Sequence, residues 1–134
     1  MKRIFIDTNV ILDVLLQREG FWQDSLRVLQ LAELGNVKAY VSASSMTDIF
    51  YVVKKKLSMD AARQAIEGLL KLFDVVGVDA ADLTGALMVP IDDFEDALQA
   101  YCAGKMNAEV IISRDTYGFI GIDIATQTPA EYFN

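Results

Sequence analysis

Five short, largely apolar runs are spaced along the chain, with helix-patterned stretches between them, and this alternation constrains the fold more than any other feature. The runs are Lys2 to Ile6, Ala39 to Val41, Phe73 to Val78, Val110 to Ile112 and Ile122 to Ile124. Strands that stay apolar on both faces belong in a parallel sheet covered from two sides. Between them, Val10 to Leu16 and Phe21 to Leu34 read as helices separated by Arg18-Glu19-Gly20, the second stopped by Gly35-Asn36. Ser45-Met46-Thr47-Asp48 has capping-box spacing and opens a helix to about Leu57, and Ser58 starts another running through Leu70. Asp79 to Leu87 is a short helix, Pro90-Ile91 a break, Asp93 to Met106 the clearest helix, and Thr128-Pro129-Ala130-Glu131 a closing turn. The pattern predicts one domain, residues 1–134, built as an α/β/α sandwich on a five-stranded, mainly parallel sheet with right-handed crossovers. Ligands of such sheets bind beyond the carboxyl ends of the strands.

Composition narrows the chemistry available at that edge. With 12 Lys and Arg against 19 Asp and Glu, the net charge is −7, so a polyanionic partner held by simple basic excess is not expected. There is no His, and Cys102 is the sole cysteine, which removes Ser-His-Asp and Cys-His catalysis, His-ligated metals, thiolate zinc sites and intrachain disulfides. Carboxylates remain. The opening Met1-Lys2-Arg3-Ile4-Phe5-Ile6 begins as a signal peptide does, but Asp7, Asn9 and Asp13 interrupt it, so the segment reads as mature structure. No apolar run reaches the ~18 residues of a membrane span, and a cytoplasmic location is expected.

The acids sort by position. Asp7 closes the first strand and is followed by Thr8-Asn9; it reads either as a helix N-cap or as a cleft ligand. Asp48 falls in the first turn of its predicted helix, where it can reach back to the cap backbone or face a polar pocket mouth made by Ser44, Ser45 and Thr47. In the helix from Asp93, Asp92, Glu95 and Gln99 share a face read as solvated, whereas Asp96 lies with Ala100 and Ala103, and Asp93 near Gly104, above a seam of small residues. A carboxylate above a packed seam needs a partner, either a metal ion or, in the alternative, Arg114 or a backbone N–H. Asp115 follows the fourth strand and reads as a ligand or as a loop acid paired with Arg114. If the first and fourth strands are neighbours, Asp7, Asp96 and Asp115 converge with Asp48 opposite, and a divalent cation would relieve their repulsion.

In this arrangement the chain resembles the PIN-domain family, metal-dependent nucleases that include VapC-like toxin ribonucleases of bacterial toxin–antitoxin pairs. The resemblance runs through four segments in order: Ile4-Phe5-Ile6-Asp7-Thr8-Asn9-Val10-Ile11-Leu12-Asp13, Ser42-Ala43-Ser44-Ser45-Met46-Thr47-Asp48, Asp93-Phe94-Glu95-Asp96-Ala97-Leu98-Gln99-Ala100, and Ile112-Ser113-Arg114-Asp115. It implies that Asp7, Asp48, Asp96 and Asp115 form an acidic quartet binding one or two Mg²⁺ or Mn²⁺, with Thr8, Asn9 and Ser113 as polar supports and Asp93 as an accessory. Oxygen-only ligands suit those hard ions. It also implies an RNA substrate, a small antitoxin partner and a homodimer. Two departures stand out: the second acid, commonly Glu, is the shorter Asp48, and Tyr117-Gly118 replaces the further acid often found before the terminal Phe119.

In that reading bound metal activates a water towards phosphorus, and no histidine is needed. Lys54, Lys55, Lys56 and Arg114 are candidate contacts to the RNA backbone, although three lysines ending a helix also suit its dipole. Rival acid-pocket folds fit less well. A haloacid-dehalogenase type needs Asp-x-Asp after the first strand, where position 9 is Asn, and a receiver domain needs adjacent acids there and a late Lys. Two other uses of the same fold stay open: a catalytically weak or inactive module that binds RNA or a partner, and an RNA-processing nuclease without an antitoxin.

Overall fold

The computed structural model describes all of residues 1–134. Its strands are β1 (Arg3–Ile6), β2 (Lys38–Ser42), β3 (Asp74–Val76), β4 (Val110–Ile112) and β5 (Ala125–Gln127). They form one sheet in the order β3-β2-β1-β4-β5, with every neighbouring pair parallel. The helices are α1 (Thr8–Leu15), α2 (Trp22–Glu33), α3 (Ala43–Lys56), α4 (Met59–Leu72), α5 (Ala80–Ala86), α6 (Phe94–Lys105) and α7 (Pro129–Tyr132), with a 3-10 turn at Thr116–Phe119. No helix is long and apolar enough to cross a membrane.

Alternation along each strand separates the two faces. Ile4, Ile6, Ala39, Val41, Val110 and Ile112 point into one core with side chains of α1 to α4. Phe5, Tyr40 and Ile111 point into the other with Ala97, Ala100, Cys102 and Ala103 of α6 and Ala86 of α5. Both faces of β1 and β4 are therefore covered, which is why these runs are apolar without interruption, and the three-layer expectation holds. Each fully buried Ile or Phe here contributes on the order of 1.5–3 kcal/mol of transfer free energy.

Local signals explain most boundaries. α2 ends in a Schellman motif: Gly35, at φ 74°, donates its N–H to Ala32, and the N–H of Asn36 bonds to the Leu31 carbonyl. Ser58 caps α4, and Thr128 with Glu131 forms the capping box of α7. Lys105 donates to Asp82 Oδ2 (2.8 Å) and to the Gly77 carbonyl, tying the end of α6 to α5; this ammonium holds the Asp82 carboxyl below the usual carboxylate range.

Two expectations are corrected. The fifth strand is Ala125–Gln127, not Ile122 to Ile124, because β4 pairs with it in the register Val110–Ala125 to Ile112–Gln127, while Ile122 and Ile124 pack on the α6 side. The α3 helix begins at Ala43 with Ser42 as its cap, since the Ser42 hydroxyl accepts from Ser45 N. The Ser45–Asp48 capping box is therefore absent, and Asp48 sits one turn further in.

The connections set where a ligand can bind. From β1 the chain moves outward through β2 to β3, then returns across the sheet to place β4 on the other side of β1. The carboxyl ends of β1 and β4 thus flank the topological switch point, where loops diverge and leave a crevice.

Candidate active site

A cleft of about 630 Å³ opens at that switch point, and Asp7, Asp48, Asp96 and Asp115 all line it. Asp7 follows β1 directly, serves as the N-cap of α1 and lines the cleft. Its carboxylate is 7% exposed. Oδ1 accepts from Thr8 N at 2.8 Å and from Gln99 Nε2 at 3.0 Å; Oδ2 accepts from Ser113 Oγ at 2.7 Å.

The polar supports form a chain between strands. Asn9 Nδ2 donates to Ser113 Oγ, and Asn9 Oδ1 accepts from Arg114 N, so α1 clamps the segment leaving β4. Ser113 Oγ also accepts from Asp115 N, which fixes the direction in which that acid leaves the strand. Thr8 Oγ1 donates to Ser45 Oγ at 2.7 Å and joins α1 to α3.

Asp96 projects from the first turn of α6, and Asp93 caps that helix by accepting from Asp96 N. Burial pushes the Asp96 carboxyl up to about 6, assisted by repulsion from Asp7, then Asp93, Asp115 and Glu95. Asp96 and Asp115 meet at Gly118. A Cβ placed there would lie 2.6 Å from Asp96 Oδ2 and 3.0 Å from Asp115 Oδ2, and Gly118 N donates to Asp115 Oδ1. Asp48 is exposed on the α3 wall of the cleft.

Gln99 corrects the reading of the α6 polar face. It is 5% exposed, not solvated. Its Nε2 donates to Asp7 Oδ1 and Ser45 Oγ, and its Oε1 accepts from Ser42 Oγ at 2.7 Å. The spacing also places it with Asp96, Ala100 and Ala103 on one helical face, and that was the signal that could have found it. Small alanines bring α6 close enough for a long amide to reach β1. Asp92 and Glu95 are exposed as expected.

Asp13 was not singled out as a partnered acid. It is fully buried on α1, accepts from Arg114 Nε at 2.7 Å and Ser25 Oγ at 3.3 Å, and pairs with Arg18 at 3.5 Å. Arg114 further stacks on Phe21, 4.1 Å from the ring centroid. Its guanidinium, a candidate RNA contact in the sequence, is therefore engaged inside the protein. It pairs with neither Asp96 nor Asp115. Lys54, Lys55 and Lys56 are exposed in the last turn of α3, beyond Tyr51 and Val52 of the cleft wall.

The donor set of the cleft is oxygen only, and none of its carboxylates is matched by an internal lysine or arginine within ion-pair distance. That chemistry fits a hard divalent cation. The acids share the cleft without drawing three carboxylates tightly around one point.

Residues 3–117 match the family described as PIN domain. The chain is 24% identical over 136 residues to Ribonuclease VapC1 of Aquifex aeolicus (strain VF5), spanning 98% of this chain and 93% of that protein. Among solved structures it is similar to VapBC2 from Rickettsia felis bound to a DNA fragment from their promoter, with TM-score 0.71, 16% identity, and 94% of this chain and 98% of that one covered. It is also similar to Mycobacterium tuberculosis VapC20, a Sarcin-Ricin loop cleaving toxin, with TM-score 0.71, 16% identity, and coverage of 89% and 95%. At those identities the structures speak for the fold, and the family match over residues 3–117 speaks for descent. The chain belongs to the PIN domain family.

Proposed function

We propose that the protein is a Mg²⁺- or Mn²⁺-dependent endoribonuclease that hydrolyses RNA phosphodiester bonds and acts as the toxin of a toxin–antitoxin pair. The observation that carries this is the meeting of Asp7, Asp48, Asp96 and Asp115, from four separate segments, in one cleft with no Lys or Arg within ion-pair distance of any of them. Asp7, Asp96 and Asp115 are the proposed metal ligands, with Asp48 reaching in from α3. Thr8, Asn9 and Ser113 hold the ligands in place, and Asp93 positions the first turn of α6. A bound divalent cation would supply charge neutralisation for the phosphodiester and lower the pKa of a water for attack. Tyr51 and Phe94 give the cleft apolar walls against which bases can rest. Lys54, Lys55 and Lys56 are the proposed backbone contacts beyond it.

The toxin assignment draws on the relatives, one named a ribonuclease and others solved as toxin–antitoxin assemblies. It brings with it a small antitoxin, a homodimer and a cytoplasmic setting. The test is incubation of purified protein with single-stranded and structured RNA, with Mg²⁺ or Mn²⁺, with EDTA, and as Asp7→Asn. Metal-dependent cleavage lost in the variant is the expected result; cleavage that survives both EDTA and Asp7→Asn overturns the mechanism. A second reading, a PIN-fold module that binds RNA or a partner without cutting, is favoured by the exposed, short Asp48 and by the absence of a tight three-acid cluster. RNA binding with no cleavage under any cation selects it.

A further inference from the structure

We infer that Gln99 restricts Asp7 to one-oxygen metal ligation and thereby biases the cleft towards small octahedral cations over Ca²⁺. This rests on the metal-dependent reading above. A carboxylate has about four acceptor positions, two on each oxygen. Both positions of Asp7 Oδ1 are filled, by Thr8 N at 2.8 Å and Gln99 Nε2 at 3.0 Å. Oδ2 takes one bond, from Ser113 Oγ at 2.7 Å, and keeps one position open. The carboxylate is nearly buried, so water does not compete on equal terms for these donors.

The orientation of the Gln99 amide follows from its other contacts. Its Oε1 accepts from Ser42 Oγ, and its second N–H goes to Ser45 Oγ, which also accepts from Thr8 Oγ1. Reversing the amide would set Oε1 against the Asp7 carboxylate and leave the Ser42 hydroxyl proton facing an N–H. The donor is thus held on Oδ1 by two further contacts of the same amide, Ser42 at the end of β2 and Ser45 on α3.

Cation preference follows from ligand count. Mg²⁺ demands near-ideal octahedral geometry and binds carboxylates through single oxygens, whereas Ca²⁺ takes more oxygens at longer range and uses bidentate carboxylates readily. An Asp7 with Oδ1 occupied suits the first and denies the second a ligand atom. Replacing Gln99 by an apolar chain frees Oδ1.

The experiment is calorimetric titration of RNA-free wild type, Gln99→Met and Gln99→Leu with MgCl₂, MnCl₂ and CaCl₂, each protein checked by thermal unfolding. Wild type is expected to bind Mg²⁺ and Mn²⁺ in preference to Ca²⁺. In Gln99→Met the Mg²⁺ affinity should fall about tenfold, in the range seen when a partner of a metal ligand is removed, while Ca²⁺ affinity holds or rises. Gln99→Leu, which also removes the donor without adding a charge or a ligand oxygen, should shift the preference the same way and serves if the Met variant does not fold. An unchanged Mg²⁺ to Ca²⁺ ratio in a folded variant overturns the inference and leaves the metal reading intact. No divalent binding by wild type overturns that reading itself.

Discussion

Asp13 and Asp96 are both helical carboxylates withdrawn from bulk water, and the protein treats them oppositely. Asp13 is sealed completely and given Arg114, Arg18 and a serine hydroxyl. Asp96 has only acids for charged neighbours, and burial, assisted by repulsion from Asp7, Asp93, Asp115 and Glu95, raises its carboxyl to about 6. The chain has cations close to the cleft, since Arg18 lines it, yet the one shortest contact of Arg114 and the pairing of Arg18 both go to Asp13. A buried acid that serves structure is neutralised from within, whereas the cleft acids have no internal partner, which is the basis of the proposed cation.

The comparison can be broken most forcefully at Asp13. Asp13→Ala strands two arginines around a closed cavity and should cost about 3 kcal/mol or more, the usual loss when one partner of a buried pair is removed. Urea unfolding measures it, and a loss below about 1 kcal/mol would mean that Asp13 is not the structural member of the pair.

Gly118→Ala probes the other side. The added methyl reaches the ends of the Asp96 and Asp115 side chains, which can turn aside, so the fold should survive while the acids separate. Mn²⁺ affinity is expected to fall about tenfold, by analogy with other losses of support around a metal ligand, with little change in melting temperature. Equal Mn²⁺ binding by both proteins would remove Gly118 from the site.

The smallest effect is a pH dependence. With the Asp96 carboxyl at about 6 in the folded protein and 3.8 as its ordinary value, the native state holds more protons than the unfolded chain between those limits. Stability contributed by this group therefore declines as pH rises from about 4 to about 6. In EDTA, the wild-type melting temperature should decline across that window more than that of Asp96→Asn. Parallel curves for the two proteins would show that the Asp96 carboxyl is not raised by its surroundings.

The fold was largely legible. Strand runs, caps and stop signals are local, and β1 with β4 as neighbours follows the habit of switch-point sheets. β5 was misplaced because Ile122 and Ile124 are more apolar than Ala125-Thr126-Gln127, while pairing with β4 selected the latter by backbone hydrogen bonding. The four cleft acids were visible, Asp7 and Asp115 at strand ends, Asp96 on the α6 seam and Asp48 near the start of α3. Gln99 was hidden because its spacing fits two helical faces, one solvated and one packed. Arg114 and Asp13 are 101 residues apart, and no local pattern couples them.

The sequence alone removed histidine- and disulfide-based chemistry and brought forward the acids at the strand ends, because that follows from residue type, and it determined the parallel sandwich, because apolar periodicity is written residue by residue. Only the tertiary structure decided which acids are matched by the protein's own arginines and which line the cleft unpaired. That choice depends on distances between side chains remote in sequence, and these exist only after the sheet has assembled.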